Sequence, residues 1–242
     1  MNRQLVGRRL FLTAALAAVA GAVGAQRAVA APPDPVTPAE AFRRLIEGNN
    51  RFVAGQPAPA TRSPARRLEV ATGATPFAAV LACADSRVAP EVLFDQGLGD
   101  LYVVRTAGGI ADPATVGALE LAVERFRLPL IVVLGHERCD AILLAVDTLR
   151  RGSAQPGQVG TVVEGLRPAV QLARLRAQLA ALRVPPDPEV DVVEEAGRAQ
   201  VAAVVERLRR AEPVLFPRIQ RDQLRVVGLR SDLVTGGVEI VA

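Results

Sequence analysis

From Phe77 onward the chain alternates short apolar runs with longer stretches of helical spacing, and few architectures accommodate that alternation. Apolar runs of strand length separated by amphipathic helices predict an α/β domain with a mostly parallel sheet and helices on its faces. Strands are expected at Phe77 to Cys83, Leu101 to Thr106, Leu130 to Leu134 and Leu224 to Leu229. The tail Gly237 to Val241 follows the turn residues Thr235-Gly236-Gly237 and is expected as a short antiparallel edge strand. Helices fill the intervals, at about Ala114 to Phe126, from near Cys139 to Arg150, and over Thr161 to Leu182 and Pro188 to Arg210, with a loop from Gly152 to Gly160. Half of the 242 residues are hydrophobic, enough for a sizeable core in one domain spanning 37–242.

Ahead of the sheet, Thr37, Pro38 and Glu40 carry the marks of a helix start: a capping hydroxyl, a proline at the first helical position and an acid three residues after the cap. Ala41, Phe42, Leu45, Ile46 and Phe52 then form a helical stripe over Ala39 to Val53. An arm of this kind must pack on its own subunit or on a neighbour. A second short helix is expected over Ala65 to Thr72. The first thirty residues read differently. Arg8-Arg9 and the apolar run Ala14 to Ala25 make a charged region followed by a hydrophobic one about half as long as a membrane span. This resembles a twin-arginine signal peptide over 1–30, with export to a periplasmic or extracellular compartment, and an uncleaved anchor as the alternative. Residues 31–36, rich in proline, are expected as a linker.

All 29 basic residues are Arg, and four of them lie in that acid-free leader; the remainder carries 25 Arg against 25 acids. The net charge of +4 is therefore a property of the leader, and the neutral body gives no reason to expect nucleic acid or a polyanionic surface as a partner.

The chemistry-bearing residues gather at two strand ends. Cys83-Ala84-Asp85-Ser86-Arg87 closes one apolar run, and Gly135-His136-Glu137-Arg138-Cys139 closes another, with the chain's only His and only two Cys among them. Side chains at the carboxyl ends of parallel strands converge, and two thiolates with one imidazole form a tripod suited to one zinc ion per chain, with a fourth position free. Against this stand a Cys83 to Cys139 disulfide, plausible in an exported protein, and a merely structural Asp85 to Arg87 ion pair. Gly108-Gly109 lacks the further glycines or lysine of a phosphate loop.

With those motifs stand Pro90-Glu91, Phe94-Asp95-Gln96-Gly97, Arg105-Thr-Ala-Gly-Gly109 and Gly117-Ala-Leu-Glu120. Together they resemble the successive motifs of the β-class carbonic anhydrases, specifically over Phe77 to Val146 and diffusely to the end. The resemblance implies a zinc enzyme, a carbonate dehydratase, for reversible hydration of carbon dioxide to bicarbonate. It implies that Cys83, His136 and Cys139 bind the metal, that Arg87 holds Asp85 off the metal, and that Gln96 reaches across a dimer interface to the substrate. It also implies a homodimer or a dimer of dimers. Hydrolysis of carbonyl sulfide or carbon disulfide on the same scaffold is the alternative activity. A non-catalytic exported zinc protein, its fourth position closed by Asp85 or Asp140, is the alternative outside enzymes. Three positions depart from the family's habit: Asp140 where Gly is common, Gln200-Val201 for Asn-Val, and Ser231-Asp232-Leu233 for Tyr-Asp-Leu.

Overall fold

The computed structural model describes residues 36–58, 62–183 and 190–242; the expected signal peptide and nearly all of the expected linker lie outside these residues. A five-stranded sheet in the order β2-β1-β3-β4-β5 organises the rest. Strands β1 (Ala78–Cys83), β2 (Leu101–Thr106), β3 (Leu130–His136) and β4 (Arg225–Ser231) run parallel, and β5 (Val238–Ile240) pairs antiparallel with β4. The expectation of four parallel strands with an antiparallel edge is met. All six residues of β1 are buried, as is usual for a strand covered on both faces, which reads as a continuous apolar run with no polar alternation.

On one face, α4 (Pro113–Phe126) and α7 (Val192–Arg209) cover Leu81, Ile131, Val133 and Val226. The other face, with Val80, Leu130, Val132 and Val227, is covered by α1 (Pro38–Val53) through Ala41 and Leu45, with Val36 already packed against that layer. Thr37 caps α1 as expected, its Oγ1 accepting from Glu40 N at 3.2 Å. A close approach fixes this arm: a Cβ on Gly48 would stand 1.8 Å from the Phe94 carbonyl oxygen. A second short helix, α2 (Pro64–Val70), follows. A third layer, α5 (Asp140–Arg151) and α6 (Val159–Ala181), packs around the two cysteines.

Three features were not legible as expected. Short helices α3 (Pro90–Leu93) and α8 (Leu215–Gln220) occupy stretches with too few residues to show a period. Strand β3 runs two residues further than the apolar run, with His136 in register with Ser231. Its Gly135 is a site of close approach and does not break the strand, since a Cβ there would meet Val201 of α7 at 2.5 Å.

Candidate metal centre

Each ligand candidate is placed by an element end. Cys83 is the last residue of β1 and His136 the last of β3. Cys139 caps α5. Adjacent parallel strands bring their carboxyl ends together, so residues 53 positions apart meet. The Sγ atoms of Cys83 and Cys139 and a ring nitrogen of His136 lie within 4.8 Å of one another, all three side chains buried.

The cysteines are free, with their sulfurs 3.7 Å apart. That distance excludes the disulfide. It is close to the roughly 3.8 Å edge of a tetrahedron with zinc–sulfur bonds of about 2.3 Å. His136 Nδ1 lies 2.8 Å from the Glu137 carbonyl oxygen, which accepts only if Nδ1 carries the proton. Nε2 then presents its lone pair, and it is a buried atom with no hydrogen-bond partner. Two soft thiolates and one imidazole with an orphaned nitrogen fit zinc by type, number and placement.

The proton chemistry of the group points the same way. Hydrogen bonding from Cys139 outweighs burial and holds the Cys83 thiol down to about 4, while the same contact and burial push Cys139 up. The pair thus holds one thiolate at neutral pH, and the Gly108 amide lies 3.4 Å from its sulfur. Burial opposes a charge on His136, but contact with the Cys83 thiolate overrides it and raises its proton affinity. A cation bound here displaces those protons.

Beside the tripod, Arg87 donates to both oxygens of Asp85, from Nε at 3.0 and 3.2 Å and from Nη2 at 2.5 Å. The Arg87 amide adds a bond to Asp85 Oδ1 at 2.8 Å. The guanidinium bonds are the main reason the Asp85 carboxyl sits at about 2, against the opposing effect of burial. Asp85 Oδ2 remains 3.9 Å from His136 Nε2, near the tripod but committed to Arg87. Asp140, 86% exposed, lies 3.8 Å from Arg87. It faces an opening of about 480 Å³ lined also by Cys83, Asp85, Ser86 and Ala107. Neither carboxylate closes the tripod, which is the feature the non-catalytic alternative requires.

Gln96 stands apart from this group within the single chain. It is buried under α1, and its Nε2 donates to the Phe94 carbonyl at 2.6 Å.

One contributor went unassigned at the level of sequence. Arg105, on β2, donates to the main-chain oxygens of Cys83 at 2.9 Å and Val88 at 3.0 Å, and to that of Asp85. It thereby shapes the loop that carries the thiol and the carboxylate. The available signal was a lone cation one residue before the end of an otherwise uncharged strand, Leu101-Tyr102-Val103-Val104-Arg105-Thr106.

The family model described as carbonic anhydrase matches residues 78–238. Carbonic anhydrase 2 of Mycobacterium tuberculosis is 48% identical over 137 residues, which is 57% of this chain and 66% of that protein. The match thus spans just under two thirds of that relative's length. A carbonic anhydrase of Mycolicibacterium smegmatis is 37% identical over 203 residues, 84% of this chain and 93% of that protein. Among solved structures, the β-carbonic anhydrase CcaA superposes with a TM-score of 0.59 at 25% identity, covering 82% of this chain and 94% of that one. The β-carbonic anhydrase CafA of Aspergillus fumigatus shares the fold, with a TM-score of 0.63 at 21% identity over 83% of this chain and 91% of that one.

Proposed function

The chain belongs to the β-class carbonic anhydrase family, and from that premise we propose that it catalyses the reversible hydration of carbon dioxide to bicarbonate and a proton. The observation that carries the reading is the conjunction of a buried Cys83, His136, Cys139 tripod with an Asp85 carboxylate held beside it by Arg87. Cys83, His136 and Cys139 would hold one zinc ion per chain. Bound zinc supplies the acidity that makes water a nucleophile near neutral pH. Asp85, ionised throughout the working pH range and acceptor-only, takes the hydrogen bond of that water and orients it. Arg87 keeps that carboxylate ionised and turned away from the tripod.

Gln96 is assigned to the neighbouring subunit's site, where its amide hydrogen-bonds the substrate. That role needs a homodimer or a dimer of dimers. The leader with Arg8-Arg9 and its short apolar run supports export by a twin-arginine-type route to the periplasm or beyond, a pathway suited to a protein that takes up its metal before crossing. N-terminal sequencing of the exported protein checks this, and an intact Met1 refutes cleavage.

Stopped-flow hydration on zinc-loaded protein tests the activity. Wild type is expected to turn over. Cys83→Ser should lose both zinc and activity, Asp85→Asn should keep zinc and lose activity, and Gln96→Ala should keep zinc with a reduced rate. Wild type carrying one zinc per chain yet inactive between pH 6.5 and 9 would overturn the reading.

A further inference from the structure

The turn joining His136 to Cys139 is strained and is held from two sides. Arg138 within it has φ +47, a left-handed conformation that non-glycine residues adopt only when their surroundings enforce it. From the side of the opening, Arg87 Nη2 donates to the Arg138 carbonyl at 2.9 Å. From the opposite side the turn is held through Glu137. Its amide donates to the Ser231 carbonyl at 3.1 Å. Its Oε2 accepts from the Leu233 amide at 3.0 Å, and its Oε1 from Arg230 Nη2 at 3.1 Å. The residue fixed in this way is the one whose carbonyl accepts from His136 Nδ1.

Arg230 is the hub of that second hold. Its side chain is only 14% exposed, and it stands on β4 in register with Gly135. Besides Glu137 it bonds Glu194 on α7 at 2.9 Å and Glu239 on β5 at 3.0 Å. A guanidinium with three carboxylates, from a turn, a helix and a strand, is a rigid anchor, because its fork geometry fixes each partner's direction. We propose that Glu137 and Arg230 are positioning residues that hold the His136 to Cys139 turn in its strained shape and keep the imidazole aimed at the tripod. This rests on the reading of Cys83, His136 and Cys139 as metal ligands. Neither side chain lines the opening, and the pair acts on His136 through the Glu137 main chain. Partners of this kind behind a ligating histidine change metal affinity by about 10- to 100-fold.

A purely structural ion network would treat its ends alike, and the test compares them. Glu137 is the end next to the histidine; Glu239 is the end on the edge strand. In the zinc-loaded full chain, release of zinc to an excess of chelator is followed for Glu137→Ala, Glu137→Gln, Arg230→Lys and Glu239→Gln. Because the chain has one histidine, selective ¹⁵N-histidine labelling reports the exchange of the Nδ1 proton in the same samples. Glu137→Ala is expected to release zinc about tenfold faster or more, Glu137→Gln and Arg230→Lys several-fold faster, and Glu239→Gln within twofold of wild type. Nδ1 proton exchange should accelerate in the same order. Equal rates for the Glu137 and Glu239 variants would overturn the clamp. If Glu137→Ala fails to fold, the shape-conserving Glu137→Gln against Glu239→Gln decides by the same criterion. A wild type that holds no zinc refutes the metal reading itself, and the order of Nδ1 exchange rates in the metal-free samples then decides the clamp separately.

Discussion

Replacing Arg87 with Met removes the guanidinium while keeping the length of the side chain, and the expected cost can be worked from the geometry. Hydrogen bonding from Arg87 is the first cause of the fall of the Asp85 carboxyl from 3.8 to about 2. At 1.36 kcal/mol per pKa unit that difference is about 2.5 kcal/mol. The Asp85 side chain is 8% exposed, but Arg87 is 44% exposed. Screening at the guanidinium end reduces the figure to about 1.2 kcal/mol, or roughly eightfold in an equilibrium. That preference keeps Asp85, 3.9 Å from His136 Nε2, from swinging onto the tripod. Because the carboxyl is depressed in the folded state, the stabilisation is present above about pH 4 and is lost as pH falls through about 2. It therefore operates at every pH where the enzyme would work. Arg87→Met should retain zinc and lose about tenfold in hydration rate at pH 8, with a melting temperature a few degrees lower. Stopped-flow hydration beside elemental analysis of zinc measures both. A variant with full zinc content and a rate within twofold of wild type would refute the argument.

Gly48→Ala is expected to destabilise the fold by about 3 kcal/mol or more, because its Cβ would fall 1.8 Å from the Phe94 carbonyl and 2.8 Å from Gln96 Nε2; urea denaturation reads this, and an unchanged midpoint sinks it. Arg105→Met should cost about 1 to 3 kcal/mol through carbonyls left without their charged donor, and should slow hydration while Asp85 and Arg87 remain in place; a rate equal to wild type's would show that the loop holds its shape unaided. With His136 the only imidazole in the chain and its Nε2 turned inward, no histidine can carry protons to bulk water, so turnover in dilute buffer should rise with added imidazole. Rates indifferent to imidazole would contradict that.

Much of the sheet could be read from the chain because a buried parallel strand leaves an unmistakable trace: Ala78 to Cys83 and Leu130 to Leu134 are unbroken apolar runs, the first ending in a thiol and the second followed two residues on by His136. The tripod was readable for a simpler reason, since the chain has no other His or Cys to offer. Contacts that depend on three-dimensional approach left no such trace. Gly135 looks like a strand terminator until α7 is packed against it. Arg105 acts on main-chain oxygens, and Glu137 acts through a partner 93 residues away; neither contact has a period or a spacing. Helix α3 spans only four residues, fewer than any hydrophobic repeat needs. The role of Gln96 lies beyond a single chain by its nature, because its proposed target belongs to another subunit.

The way Arg105 grips its loop has a consequence for how the entrance can vary. It bonds three main-chain oxygens, those of Cys83, Asp85 and Val88, and no side chain of the loop. The side chains of Ala84 and Ser86, both exposed beside the opening, therefore have no part in that grip. Side chains at these two positions are expected to be exchangeable while the thiol and the carboxylate keep their positions. A larger, apolar or charged entrance could be installed there, by natural drift or by design, without rebuilding the chemistry behind it.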